Sequence, residues 1–309
     1  MSRKAHIQKQ LLRTILFLNH KVLLGLFLLL LFSPCFSQKP VNPNYSEIFR
    51  FIQKENIENT IRLFSGSNRL GVPPKELIEY LCSDSALGMH GEVKKEFFNM
   101  TIPDPRSIAQ LQIGNKDIDL LPLWPNGVRT STCSLEGTLI YGGKGNVYEL
   151  DGKIVKDSIV VLDSDCEFRW KNAARLGAKA IIFIAKNRVK RLQSEYLWAD
   201  IPLDVPRFYV SGNAIEKVLS LVNEKVTVNC KQDWVDVQGV NLVLQINGTD
   251  AKLNEQPILI GAFMDSGSFV PALSSGADQA SGLAGLLELC RYLKRYPPRR
   301  KVIFLVTSG

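Results

Sequence analysis

From Val237 onward the chain alternates near-continuous apolar runs with a single helical stretch. "VNLVLQI" and "PILIGAFM" read as buried strands. "ASGLAGLLELCRYLKRY" has helical spacing and stops at Pro297-Pro298, and "KVIFLVT" is apolar again. Strands without a polar face need cover on both sides, and a strand–helix–strand order joins parallel neighbours. No other feature narrows the fold as much. It predicts an α/β domain with a mostly parallel sheet and helices on both faces.

The preceding region has a different texture. From about residue 122 short strands dominate: "GTLIYGG", "KIVKDSIVVLD", "AKAIIFI", "VPRFYVS" and "KVTVNC". Two short helices interrupt them. "FRWKNAARLG" is closed by Gly177 as a C-cap, and "GNAIEKVLSLV" offers Ser211 as its cap. Further upstream, apolar residues near helical spacing predict a helix over about 45–63. "SGSNRLGVPP" breaks it, and a second helix starts with Pro74 in its first turn. "EFFNMTI" reads as a strand, and "SIAQLQIGNKDIDLL" as a hairpin turning at Gly114-Asn115.

An apolar fraction of 45% and a charged fraction of 22% allow a buried core in a chain of 309 residues. The net charge of +8 has a local origin. Arg3, Lys4, Lys9, Arg13 and Lys21 supply five of the eight charges before residue 38, with no acid among them. No basic stripe interleaved with aromatics remains, which argues against nucleic acid as a partner. The basic start runs into an apolar stretch from Val22 to Phe32, with Cys35 and Ser37 as small residues before a cut at Gln38. That run suits a signal-peptide core and is shorter than the ~20 residues of a spanning helix. The expectation is export, to a secreted, periplasmic or membrane-anchored state. Membrane association through a retained N-terminal segment is the alternative.

Five cysteines follow the leader: Cys82, Cys133, Cys166, Cys230 and Cys290. They include no CxxC, so a structural zinc knot is not expected. Cys133 and Cys230 fall near the two ends of one module and are candidates for a bridge, whereas buried thiols are expected for most of the others.

The order Gly152–Val155, Ala173–Gly177, Gly177–Ile184 and Ile201-Pro202 onward resembles the protease-associated domain over residues 120–235. That resemblance implies a small β-rich module without chemistry of its own, which shapes access or contacts partners. Trp124, beside a proline and near Arg129, reads as an anchor at the module junction or as a contact surface.

The C-terminal part resembles the zinc exopeptidases that include bacterial leucyl aminopeptidases, aminopeptidase Y and glutamate carboxypeptidase. The residues that carry the likeness are Gly261-Ala262-Phe263-Met264-Asp265-Ser266 and Gly276-Ala277-Asp278-Gln279-Ala280-Ser281-Gly282. The resemblance implies an aminopeptidase-like sheet and two zinc ions. A bridging carboxylate spans the ions, because two oxygens can reach both, and imidazoles complete each one. Asp278 falls on that bridging carboxylate. Asp265 falls on the aspartate that orients a ligating histidine. The expected parts are a leader over 1–37, N-terminal helices and strands over 38–119, the protease-associated module over 120–235, and the start of the peptidase-like domain over 236–309.

Two departures limit that chemistry. Phe263 stands where the first metal histidine belongs, and the acidic pair of the next strand end meets Thr307-Ser308-Gly309. The chain has three histidines, His6, His20 and His90, and the first two fall in the leader. The peptidase-like domain is therefore expected to be incomplete, with no zinc pair bound by this chain. Two carboxylates without imidazole would favour a hard ion such as calcium or magnesium. The plainer reading makes Asp278 the cap of a helix starting near Ser281. The expectation is an exported, inactive or incomplete exopeptidase-like protein; the alternatives are a non-catalytic relative that binds a peptide or protein, and the exported part of a larger envelope membrane protein.

Overall fold

The computed structural model describes residues 43–87, 93–127, 129–186 and 203–308. The leader over 1–37, His90 and Ile201-Pro202 lie outside the described residues. The chain divides into two units between Phe51 and Ile52. Helix α1 (Pro43–Phe51) is the described part of the first. The second unit opens with α2 (Lys54–Ser65) and α3 (Lys75–Cys82), with Pro74 as N-cap of α3. One helix is predicted over about 45–63; two form, parted at Ile52-Gln53.

Two sheets organise this second unit. Strands β1 (Lys94–Pro103), β9 (Trp234–Ile246), β11 (Val302–Thr307) and β10 (Ile258–Phe263) form a four-stranded sheet in the order β1-β9-β11-β10. Between β1 and β9 the chain builds a closed barrel. Its strands are β2 (Ala109–Ile113), β3 (Lys116–Pro122), β4 (Cys133–Tyr141), β5 (Ile159–Asp163), β6 (Ala180–Ile184), β7 (Arg207–Val210) and β8 (Lys225–Cys230), in the order β2-β3-β7-β6-β5-β4-β8. The expected hairpin is present as β2–β3, with Ile113 opposite Lys116. Both its strands belong to the barrel.

The expectation of a mostly parallel sheet is corrected. In the four-stranded sheet only β10 and β11 run parallel; β1–β9 and β9–β11 are antiparallel. The reason lies in the path of the chain. β1 leads out to the barrel and β9 leads back beside it, so the two must run in opposite senses. Parallel pairing is concentrated in the barrel instead, where β4–β5, β5–β6 and β6–β7 are all parallel. β5 and β6 are buried on both faces, as parallel strands require. Ile159, Val161, Ile182 and Ile184 point into the barrel core. Val160, Leu162, Ile181 and Phe183 pack outward with Leu150 of α4 (Val147–Leu150) and with Trp170 and Ala173 of α5 (Trp170–Arg175).

Three local readings are also settled. Gly152–Val155, taken as part of a strand, forms turns, and β5 starts only at Ile159. Gly177 does close the helix: its φ of +89° lies in the left-handed region, and its N–H donates to Ala174 O at 3.0 Å. Ser211 does not cap α6 (Ala214–Leu219). The N-cap is Asn213, with no side-chain cap bond.

Helices cover one face of the four-stranded sheet. Val240, Leu242 and Leu244 of β9 and Val302, Phe304 and Val306 of β11 pack with Phe64 of α2, Leu77 and Leu81 of α3, and Leu283, Leu286 and Leu287 of α7 (Ala277–Arg295). Among the described residues the opposite face carries no helix of this cluster. Leu259 is 63% exposed there, and its sheet neighbours Ile303, Leu305 and Val243 are only partly buried. Two-sided cover was expected because the strands are apolar on both faces, yet the alternation of burial along β9 and β11 is one-sided.

A buried carboxylate joins α7 to the start of α2. Glu288 is 2% exposed, and its Oε2 accepts from Gln53 N–H at 3.0 Å. Its Oε1 accepts from Asn56 Nδ2 at 3.2 Å and pairs with Arg291. Glu288 thus accepts the backbone N–H of the N-cap residue itself and the side-chain amide of Asn56, tying the start of α2 to α7. Glu288→Leu is expected to cost about 2–3 kcal/mol, because the donors lose a charged acceptor. The urea midpoint of the variant measures this, and a shift equivalent to less than about 0.5 kcal/mol would contradict the role.

Candidate functional site

The two aspartates sit on either side of one loop. β10 ends at Phe263, opposite Thr307, and Met264 N–H continues the ladder to Thr307 O at 2.9 Å. The chain then turns under the sheet edge. Met264 and Ser266 are buried, Asp265 between them is half-buried, and α7 begins at Ala277. Gly276 is the N-cap at φ +48°, a left-handed conformation in which a side chain would be strained. An added Cβ there would also lie 2.6 Å from Ser266 Cβ.

Asp278 is not the cap. The helix starts four residues earlier than the expected Ser281, so Asp278 lies within its first turn, exposed. There its charge suits the helix dipole. Ser281 donates its hydroxyl to Asp278 O at 2.6 Å.

The residue that organises this loop is Arg69, which sequence reading treated only as part of a breaker. Its side chain is fully buried. Nη1 donates to Met264 O at 2.6 Å and Asp265 O at 3.2 Å. Nη2 donates to Ser275 O at 2.6 Å and Gly276 O at 2.7 Å. The backbone joins in: Arg69 N–H donates to Ser274 O at 2.7 Å, and Ser266 N–H donates to Arg69 O at 3.0 Å. The guanidinium lies 5.6 Å from the Phe64 ring centre. Burial lowers its pKa, and the nearby Asp265 carboxylate partly offsets this. One planar fork therefore ties the segment before Ser266 to the segment that opens α7. The signal available in sequence was a lone arginine amid "SGSN" and "LGVPP", where a turn alone would need no long cation.

The barrel reaches the same loop. Trp124, half-buried just after β3, donates its N–H to Phe269 O at 2.6 Å. Its own carbonyl accepts from Arg207 Nη2 at 3.1 Å. Its backbone bonds put it at the junction between barrel and loop. Arg129 is exposed and lies 3.9 Å from Asp204.

Among the described residues no donor set fits a pair of zinc ions. Phe263 projects an apolar ring, 58% exposed, from the strand end where the resemblance calls for imidazole. None of the described residues is a histidine, and among them no group of three or more His, Cys, Asp or Glu side chains could hold a metal ion. What the geometry offers is a well-braced loop, with Asp265 half-buried beside Arg69 and Asp278 open to solvent.

Comparison with known proteins agrees with the C-terminal part of this picture. The family model of Peptidase family M28 matches residues 241–309. No curated protein sequence matches the chain. Among solved structures, BSAP, a zinc aminopeptidase from Bacillus subtilis, superposes with a TM-score of 0.56 at 19% identity, over 82% of this chain and 61% of that one. A Peptidase M28 precursor from Shewanella amazonensis gives 0.51 at 14% identity, over 84% and 65%. The chain thus spans less than two thirds of either structure. At these identities the likeness is one of fold, shared with the Bacillus subtilis and Shewanella amazonensis proteins, and within it residues 241–309 match the model of Peptidase family M28.

Proposed function

We propose that this chain is an exported, non-hydrolytic relative of the zinc aminopeptidases that binds a peptide or protein. The observation that carries the reading is Phe263. A phenyl ring at the strand end offers no lone pair, so one ion of a two-metal centre lacks its imidazole. Without paired metals no water is activated and no developing oxyanion is clamped. Asp265 and Asp278 then keep structural duties, the first beside Arg69 and the second in the first turn of α7. Export rests on the basic start and the apolar run from Val22 to Phe32.

The test uses the purified chain dialysed against zinc, then assayed with aminoacyl anilides and a mixed peptide library. The expected result is no turnover, no stoichiometric zinc, and peptide binding that a chelator leaves unchanged. Two retained zinc ions with amide hydrolysis would overturn it. A second reading, a piece of a longer aminopeptidase-like chain, is favoured by the uncovered face around Leu259. It predicts self-association of the chain, with Phe263 still denying one ion its ligand.

A further inference from the structure

Independently of that function, the register of the barrel brings two thiols together. Cys133 opens β4 and Cys230 closes β8, and the two are directly opposite in the antiparallel pair. Directly opposed residues in such a pair have Cα atoms ~4.5 or ~5.5 Å apart, depending on the hydrogen-bonding position. Both spacings fall within the range of about 4.4–6.8 Å that a disulfide spans. A bond at such a spacing is reached by rotating side chains rather than by a change of register. Both residues are present as thiols, with Cys133 Sγ now directed toward Val228 O at 3.9 Å.

The other cysteines are differently placed. Cys166 packs in the outer barrel core beside Trp170, and Cys290 in the core under the four-stranded sheet. Cys82 belongs to α3. Cys133 and Cys230 line a surface pocket of about 530 Å³. Asp119 of β3 and Lys231 are its charged lining groups. A small reagent can therefore approach this pair from solvent.

We infer that Cys133 and Cys230 form a cross-strand disulfide when the chain meets a low-molecular-weight disulfide oxidant. One cysteine thiolate attacks a sulfur of the oxidant, expels one small thiolate and forms a mixed disulfide. The second cysteine thiolate attacks the protein sulfur of that adduct and expels the other small thiolate. The two protein thiols lose two protons and two electrons, and the oxidant is reduced to two small thiols. Burial raises Cys133 to about 11, and burial with the neighbouring Cys133 raises Cys230 to about 12. Little thiolate is present at neutral pH, so the bond forms slowly, and high-pKa sulfurs are poor leaving groups, so once formed it is slow to be displaced. The bond fastens one seam of the barrel. Cys230 also pairs with Ala109 of β2, so β8 is held between β2 and β4.

The experiment incubates the purified chain with oxidised glutathione, blocks remaining thiols with a maleimide in denaturant, and maps the digest by mass. The expected product is a Cys133–Cys230 linked peptide two hydrogens lighter than its reduced parts, with Cys82, Cys166 and Cys290 alkylated. Dithiothreitol is expected to lower the Tm of the oxidised chain by about 5–10 °C, because the bond closes a loop of nearly the whole barrel. The Tm of Cys133→Ser should not respond to dithiothreitol. Maleimide on both Cys133 and Cys230, separate stable glutathione adducts on each, or linkage of either to another cysteine overturns the inference. So does a Cys133→Ser chain whose Tm still falls on reduction.

Discussion

Arg69→Met is expected to destabilise the chain by on the order of 3–5 kcal/mol. Methionine fills much of the same volume, so the effect is electrostatic and not a cavity. Four carbonyls, of Met264, Asp265, Ser275 and Gly276, lose a charged donor at once. Each buried acceptor left without a partner costs about 1–3 kcal/mol before relaxation. The loop can relax, which keeps the total below the sum. Urea unfolding measures the loss. Hydrogen exchange at Ser266, whose N–H bonds to Arg69 O, reports whether the loop itself has opened. Arg69→Lys should recover only part of the stability, because an ammonium cannot present two parallel pairs of donors in a plane. An Arg69→Met chain within about 1 kcal/mol of the parent would remove the basis for treating this arginine as the brace of the loop.

The second large effect is expected in the barrel. Trp170 is completely buried, edge-on to Phe183 with ring centres 6.4 Å apart. The Arg207 guanidinium lies 5.2 Å from its ring centre. Arg207 is itself buried, and its pKa is pushed down to about 10 by desolvation. Trp170→Ala removes the outer core's largest side chain and strips the aromatic face from a buried cation. The cavity effect alone is about 3–5 kcal/mol, and the lost cation–π contact adds roughly 1–2 kcal/mol. Trp170→Phe should keep most of the contact and lose less than half as much. Calorimetric unfolding of the three chains ranks them. An alanine variant as stable as the phenylalanine one would show that ring contact is not what holds this side of the barrel.

These two side chains also mark how far the sequence could be read. Trp170 falls in a stretch that reads as a short helix against apolar strands; the helix, its glycine stop and the strand after it are where the pattern puts them, and the strand before it starts later, at Ile159. Local signals of that kind depend on residues a few positions apart. Arg69 depends on residues about two hundred positions away, and nothing in "SGSNRLGVPP" announces partners at Met264 or Gly276. The same limit explains the sheet. A strand–helix–strand order correctly gives β10 and β11 as a parallel pair. No local pattern states that β1 and β9 run side by side, so their antiparallel sense was missed. Asp278 was placed near a helix start correctly, but the start lies at Ala277 because Gly276 takes the left-handed conformation, a fact of backbone geometry. Phe263 was legible from the first, since a missing imidazole needs no structure to be noticed.

The paired strands β1 and β9 carry a further implication. Pro103 and Trp234 face each other at the far end of their ladder, so the barrel leaves and rejoins the sheet at one point. In effect the barrel occupies the position of a hairpin loop. A module attached in this way can be acquired, exchanged or lost over evolutionary time while every register in the parent sheet stays as it was. A short turn grafted between Pro103 and Trp234 would connect the two strands directly. The architecture is that of a hairpin whose tip is a domain.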